Sequence, residues 1–254
     1  VLGRKHIIND PSVWAAGWER AREVFPDERL DALIDRTAHE MRHRAGGLRV
    51  GIAWSGGKDA IVVTWVAERA GLDIVGGVYG TALGLSYHSM LAWVREHRPA
   101  YVDILDTGQD LAWLRAHPAM LFPDLAGRTK WSDITHNRAQ DIYFARKRLD
   151  IILTGRRRLD GNWCGPGGDY VSRGTRRWSP IMDWPHEAVF ALLQREGLGL
   201  PPCYAGPGGF RNGSMVPWPR RGPWARVWDW EADRVREAAA YGIPGAADFL
   251  RTVT

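Results

Sequence analysis

The chain has 254 residues, 45% of them hydrophobic and 25% charged, enough to bury one substantial core or one core with a small appendage. No apolar run is long enough to span a bilayer, and Val1-Leu2-Gly3-Arg4-Lys5-His6 lacks the apolar stretch of a signal peptide, so a cytoplasmic protein with no membrane partner is expected. The formal charge of +5, carried far more by arginine than by lysine, suits polyanionic small molecules and permits weak nucleic-acid binding, for which there is no further signal.

In chain order, the first predicted element is a helix from about Pro26 to Arg44, where Leu30, Leu33, Ile34, Ala38 and Met41 recur at helical spacing. It ends a helical lead-in over residues 1–46. Four apolar stretches follow as strands: Leu48 to Trp54, Asp73 to Tyr79, Tyr101 to Leu105, and Ile151 to Leu153. Helices are predicted between them at Ala60 to Ala70, Ser86 to Arg98 and Thr135 to Leu149. Strands alternating with helices imply a parallel α/β sheet covered on both faces, with ligands beyond the carboxyl ends of the strands.

After Arg158 the texture changes. Residues 159–170 read as a glycine-rich, mobile loop, and Leu198 to Pro223 as a second glycine- and proline-rich stretch. A short helix at Trp184 to Glu196 separates them, and helices at Glu231 to Tyr241 and Ala246 to Val253 close the chain. The C-terminal third is expected to be irregular. Of the 14 tryptophans, several lie beside arginine or proline in this region, where local packing is the expected role and ring stacking the alternative.

The residues that carry chemistry start at Ser55-Gly56-Gly57-Lys58-Asp59, between the first strand and its helix. Two glycines allow a sharp turn and a close approach of backbone to ligand. The helix start adds free N–H groups and the positive end of its dipole, and Lys58 adds a full charge, a combination that binds phosphate. Arg156-Arg157-Arg158 follows Gly155 at the end of the fourth strand, where guanidinium groups can meet phosphate or sulfate oxygens. Arg173, Arg176 and Arg177 form a second basic group, and Arg211 is a candidate to close over substrate.

The Ser-Gly-Gly-Lys-Asp string resembles the PP-loop of the ATP pyrophosphatase superfamily. Thr154-Gly155-Arg156-Arg157 is similar to the Gly-x-Arg that closes a later strand in that group, and Ser179-Pro180-Ile181-Met182-Asp183-Trp184 to its Pro-Ile/Leu-x-x-Trp segment. Leu200-Pro201-Pro202-Cys203-Tyr204 and Gly209-Phe210-Arg211-Asn212-Gly213-Ser214 resemble its proline-rich turn, tyrosine and glycine-serine close. Asp106-Thr107-Gly108 follows the third strand here, whereas the related triplet follows the second, and Ala60 offers no hydroxyl after the Asp. Together the motifs resemble the PAPS reductase/FAD synthetase-like branch, with an adenine nucleotide alpha-hydrolase-like, Rossmann-like sheet. The resemblance implies a domain over residues 1–214 and a Trp/Pro-rich, helical extension over 215–254.

It also implies site roles. Ser55, Gly56, Gly57, Lys58, Asp59, Gly155 and Arg157 would bind nucleotide phosphates, with Lys58 and Arg157 catalytic. Arg173, Arg177, Arg211 and Ser214 would contact the substrate. No residue is assigned as a metal ligand, and Mg²⁺ is expected to arrive with ATP. Reductases of this group attack sulfur with a C-terminal cysteine, whereas no thiol follows Ser214 in this chain. Cys164 and Cys203 are too few for a disulfide scaffold or a four-cysteine cluster and read as reduced thiols. ATP-dependent adenylylation with pyrophosphate release is therefore the reading, its acceptor and oligomeric state undetermined. The alternatives are a sulfonucleotide enzyme using Cys164, an FMN adenylyltransferase, and a non-catalytic nucleotide- or nucleic-acid-binding module.

Overall fold

The computed structural model describes residues 2–5, 7–8, 10–81, 88–120, 133–205, 209–212 and 232–253. Helix α1 (Pro11–Glu19) starts where the Asp10 side chain accepts from the Ser12 amide at 2.9 Å and Pro11 presets the first turn. A short α2 (Ala21–Val24) leads into α3 (Asp27–Ala45), which buries Leu30, Ile34, Ala38 and Met41 along one stripe. Asp27 and Glu28 in its first turn and Arg42, His43 and Arg44 in its last oppose the helix dipole.

Then come β1 (Val50–Ala53), α4 (Lys58–Arg69), β2 (Ile74–Thr81), α5 (His88–His97), β3 (Val102–Asp106) and α6 (Leu111–Ala116). A π-helical turn at Asp133–Asn137 opens α7 (Arg138–Lys147), so the predicted Thr135 to Leu149 helix begins with a wider turn. Next are β4 (Ile151–Leu153), β5 (Asp169–Ser172), β6 (Thr175–Trp178), α8 (His186–Arg195), α9 (Gly209–Asn212), α10 (Ala232–Ala240) and α11 (Ala246–Val253).

The six strands form one sheet in the order β3-β2-β1-β4-β6-β5, parallel except for β5. Alternation along β4 shows how it is covered. Ile151 and Leu153 join the larger apolar cluster with Ile34, Val62 and Val189 from α3, α4 and α8. Ile152 joins a second cluster with Val78, Leu105 and, from α7, Ala139 and Tyr143. Successive strand side chains point to opposite faces, so helices cover both. The architecture is a mostly parallel α/β sheet.

Two expectations are corrected. The sheet does not stop at four strands: a β5–β6 hairpin extends it, with Ile152 and Leu153 of β4 beside Arg177 and Trp178 of β6. Residues 159–170 are also tied into the fold rather than forming a free loop. The Arg158 amide donates to the Met182 carbonyl at 3.0 Å and the Ser179 amide to the Gly168 carbonyl at 2.9 Å. Val235, Ala238, Ile243, Ala246 and Phe249, near the C-terminus, belong to the larger apolar cluster.

The chain runs β1, β2, β3 toward one edge and returns to place β4 on the other side of β1. The reversal between β1 and β4 is a topological switch point, the place beyond the carboxyl ends of the strands where such sheets bind ligands.

Candidate nucleotide site at the switch point

Both strands flanking the reversal end in the residues singled out from the sequence. Beyond β1, Ser55 and Gly56 make the turn, Gly57 is the N-cap of α4, and Lys58 opens the helix. Gly56 has φ +69°, and a Cβ there would meet Met90 Cε at 2.7 Å and Trp93 of α5 at 3.2 Å. A side chain is thus excluded by conformation and by packing. No side chain of the N-cap residue closes the start of α4, because that residue is glycine. The Gly57 amide reaches the Ser55 hydroxyl at 3.3 Å, and the Lys58 amide donates to the Tyr204 hydroxyl at 2.9 Å.

Beyond β4, Gly155 lets two backbones touch. A Cβ on it would lie 2.6 Å from the Asp59 carbonyl carbon and 2.7 Å from the Ala60 nitrogen. The strand end therefore lies directly on the first turn of α4, and Arg157 reaches the same turn. Its Nε is 2.7 Å from Asp59 Oδ1 and its Nη2 is 2.9 Å from Asp160 Oδ2. Nη1 donates to the Trp184 carbonyl at 3.1 Å, and Nη2 lies 2.9 Å from His186 Nδ1.

Lys58 completes the cluster, with Nζ 2.5 Å from Asp59 Oδ2 and 3.8 Å from Asp160 Oδ1. Lys58 and Arg157 are almost wholly buried, at 1% and 0% exposure. Burial pushes the Asp160 carboxyl up, but Lys58, Arg157 and Lys5 outweigh it and hold the group well below the usual carboxylate range. Burial, and then the charges of Arg157 and Lys58, lower His186 to about 2. Its ring is neutral, and with Nδ1 facing a guanidinium donor the proton belongs on Nε2.

Three of these residues had little or no sequence signal. Lys5 comes from the N-terminal segment, outside the motif-bearing region; its Nζ lies 4.0 Å from Asp160 Oδ1 and its amide donates to the Leu159 carbonyl at 2.7 Å. Burial lowers it to about 8 against the pull of Asp160. Asp160 showed only as a single acid after the arginines, and His186 reads from sequence as a packing residue. Tyr204 was visible as the tyrosine after the proline-rich turn, but not as a partner of Lys58.

The second basic group lies elsewhere. Arg177 is 2% exposed, with Nη2 2.5 Å from Asp141 Oδ1 and Nε donating to Gln140 Oε1 at 2.8 Å. Arg173 pairs with Asp133 at 2.7 Å and Asp141 at 2.8 Å, and Arg176 with Asp169 at 2.7 Å. These arginines tie the β5–β6 hairpin to itself and to α7 and its opening turn; the substrate contacts expected of Arg173 and Arg177 are not among these partners. Arg211 lies in α9, and Ser214 lies outside the described residues. Thr107, of the Asp-Thr-Gly triplet, links the ends of β2 and β3 by donating from its hydroxyl to the Thr81 carbonyl at 3.0 Å.

The carboxylates nearest the loop, Asp59 and Asp160, are already shared among cations. Among the described residues no group of three or more His, Cys, Asp or Glu side chains is placed to hold a metal ion. Cys164 and Cys203 are 3% and 4% exposed, and burial pushes the Cys164 thiol up despite Arg156 and Arg158. Burial thus favours the protonated form of the Cys164 thiol. No described helix is long and apolar enough to cross a membrane.

No protein-family model and no curated protein matches this sequence. Among solved structures, the chain is similar to a phosphoadenylyl-sulfate (PAPS) reductase from Candida auris in a phosphate complex, at 15% identity and a TM-score of 0.49 over 69% of this chain and 89% of that one. It is also similar to the U34-tRNA thiolase NcsA from Methanococcus maripaludis with its 4Fe-4S cluster, at 13% identity and a TM-score of 0.49 over 87% of this chain and 80% of that one.

Proposed function

We propose that this chain is a PP-loop enzyme that binds ATP at the β1–α4 turn and transfers its adenylyl group to an acceptor oxygen. The observation that carries the reading is the glycine turn into a helix start with no side-chain N-cap, at the switch point, backed by a charge cluster with a positive excess. Among the described residues, the carboxylates that Lys58, Arg157 and Lys5 pair with there are Asp59 and Asp160. Backbone N–H groups and that excess favour the charge that gathers on the β- and γ-phosphates as the bond breaks.

In the transfer, the acceptor oxygen bonds to the α-phosphorus and the bond from that phosphorus to the bridging oxygen breaks. Pyrophosphate leaves with the electron pair, and the acceptor proton passes to solvent. Lys58 and Arg157 act here as a fixed pair: each holds Asp59, so the first turn of α4 keeps its shape as charge moves. His186 and His136 are held neutral by burial, His136 lowered to about 4. Positioning and electrostatics, rather than proton abstraction by these rings, are the source of rate in this reading. The covered thiols give sulfonucleotide reduction no nucleophile among the described residues. Flavin-dependent turnover would identify FMN as acceptor, and nucleotide binding without pyrophosphate release would identify a non-catalytic module.

The test is ATP titration and pyrophosphate release by the whole chain over a panel of hydroxyl, carboxylate and flavin acceptors. Lys58→Ala, its fold checked by circular dichroism, is expected to lose about 1.5–3 kcal/mol of ATP binding, the range for a hydrogen bond to a charged group. Unchanged ATP affinity in a folded Lys58→Ala protein would remove the phosphate-loop assignment.

A further inference from the structure

Arg156 differs from every other arginine around it. Arg157 is paired with Asp59 and Asp160, Arg158 with Asp183 at 2.6 Å, Arg173 with Asp133, Arg176 with Asp169 and Arg177 with Asp141. Among the described residues Arg156 has no ion pair and no hydrogen bond through its guanidinium. It is half-buried and sits 5.4 Å from the centre of the Tyr170 ring, within reach of a cation–π attraction that leaves its N–H donors free. Gly155 and Arg157 meet the first turn of α4, while Arg156 between them meets β5.

Two neighbours share the character of an unfilled site. Among the described residues the enclosed Tyr170 hydroxyl has no hydrogen-bond partner, a state that costs stability until a partner arrives. Trp163, 65% exposed, meets the Tyr170 ring edge-on with centroids 5.0 Å apart and leaves indole surface to solvent. A free guanidinium, an unsatisfied phenol and an exposed indole are thus gathered beyond β4, around Tyr170 of β5. The nearby carboxylate Asp141 is engaged by Arg173 and Arg177 and does not neutralise Arg156.

We propose that Arg156, Tyr170 and Trp163 form a subsite for an anionic group carried on a planar ring, the guanidinium and phenol taking the anion and the indole the ring. That this molecule is the acceptor rests on the adenylyl-transfer reading; the binding chemistry does not. A phosphomonoester and a carboxylate share that chemistry, and the test separates them.

Phenyl phosphate, benzoate, inorganic phosphate and phenol are titrated into the whole chain by calorimetry, with and without saturating ATP. Phenyl phosphate or benzoate is expected to bind more tightly than phosphate or phenol, and the better of the two identifies the anion. Arg156→Gln and Trp163→Ala are each expected to weaken it by about tenfold, and Tyr170→Phe by a few-fold, with ATP affinity unchanged. Lys58→Ala is expected to do the reverse. The subsite is overturned if neither ring anion binds saturably, if Arg156→Gln leaves affinity at the wild-type value, or if Lys58→Ala removes the probe because the phosphate loop was holding it. Probe binding that depends on Arg156 in a protein that releases no pyrophosphate would keep the subsite and sink the transfer reading instead.

Discussion

At the scale of single residues, the hydroxyl of Tyr204 occupies one of the donors that make the start of α4 an anion site, taking the Lys58 amide at 2.9 Å. Burial keeps that phenol protonated, so its oxygen can accept while its proton turns elsewhere. Tyr204→Phe leaves the amide buried without a partner and is expected to lower the stability of the free protein by about 1–3 kcal/mol in urea unfolding. ATP should offset more of that loss than it adds to the wild type, because a phosphate oxygen can replace the missing acceptor. Identical stability of variant and wild type without ligand would show that the hydroxyl is dispensable there. The sequence shows the residue types of this site better than their partners. Ser55 to Asp59 is legible because turn, helix start and charge are all local properties. The pairing of Arg157 with Asp59 and Asp160, and of Lys58 with the same two acids, depends on how β4 lies against α4, which no local pattern encodes.

The elements follow the same division. Strands β1 to β4 are legible as apolar runs because both faces of a parallel sheet are covered, and α3 and α4 as apolar stripes at helical spacing. The hairpin was not legible. Thr-Arg-Arg-Trp of β6 reads as a basic patch, and it becomes a strand only because Asp141 and Gln140 of α7 receive Arg177 while Asp169 of β5 receives Arg176. Burying Arg177 therefore depends on the acids of another element. Arg177→Met is expected to destabilise the fold by about 3–5 kcal/mol, the range for a buried pair that loses one member, while a folded variant keeps wild-type ATP affinity. Denaturant midpoints and ATP titrations of one preparation check both halves; loss of ATP binding alone would return Arg177 to the site. Helices α1 and α2 were legible only as a lead-in, because their importance lies in what the segment before them reaches.

For the molecule as a whole, the buried cluster sets how stability responds to pH. His186 is neutral when folded, down to about 2, whereas in the unfolded chain it takes a proton near its ordinary 6.5. Below about 6.5 the unfolded chain therefore binds more protons, and stability falls as pH falls, by up to about 1.4 kcal/mol per pH unit for one group. His136, lowered to about 4, adds over the upper part of that window. Lys5 acts at the alkaline side: with its folded value near 8 and its ordinary one at 10.5, stability rises with pH between the two. His186→Gln, whose amide oxygen can accept from Arg157, is expected to flatten the loss between pH 6.5 and 4.5 by roughly half. Equal slopes for the two proteins would place the acid sensitivity outside this ring. The placement of Lys5 has a consequence of timing. Its amide is held by the carbonyl of Leu159, and the amide of Leu2 by the carboxylate of Glu187. During synthesis these residues precede their docking ground by more than a hundred positions, as those partner numbers show. The phosphate loop can form with its own strand and helix before residues 159 and 187 are made, whereas the segment holding Leu2 and Lys5 can dock only after them.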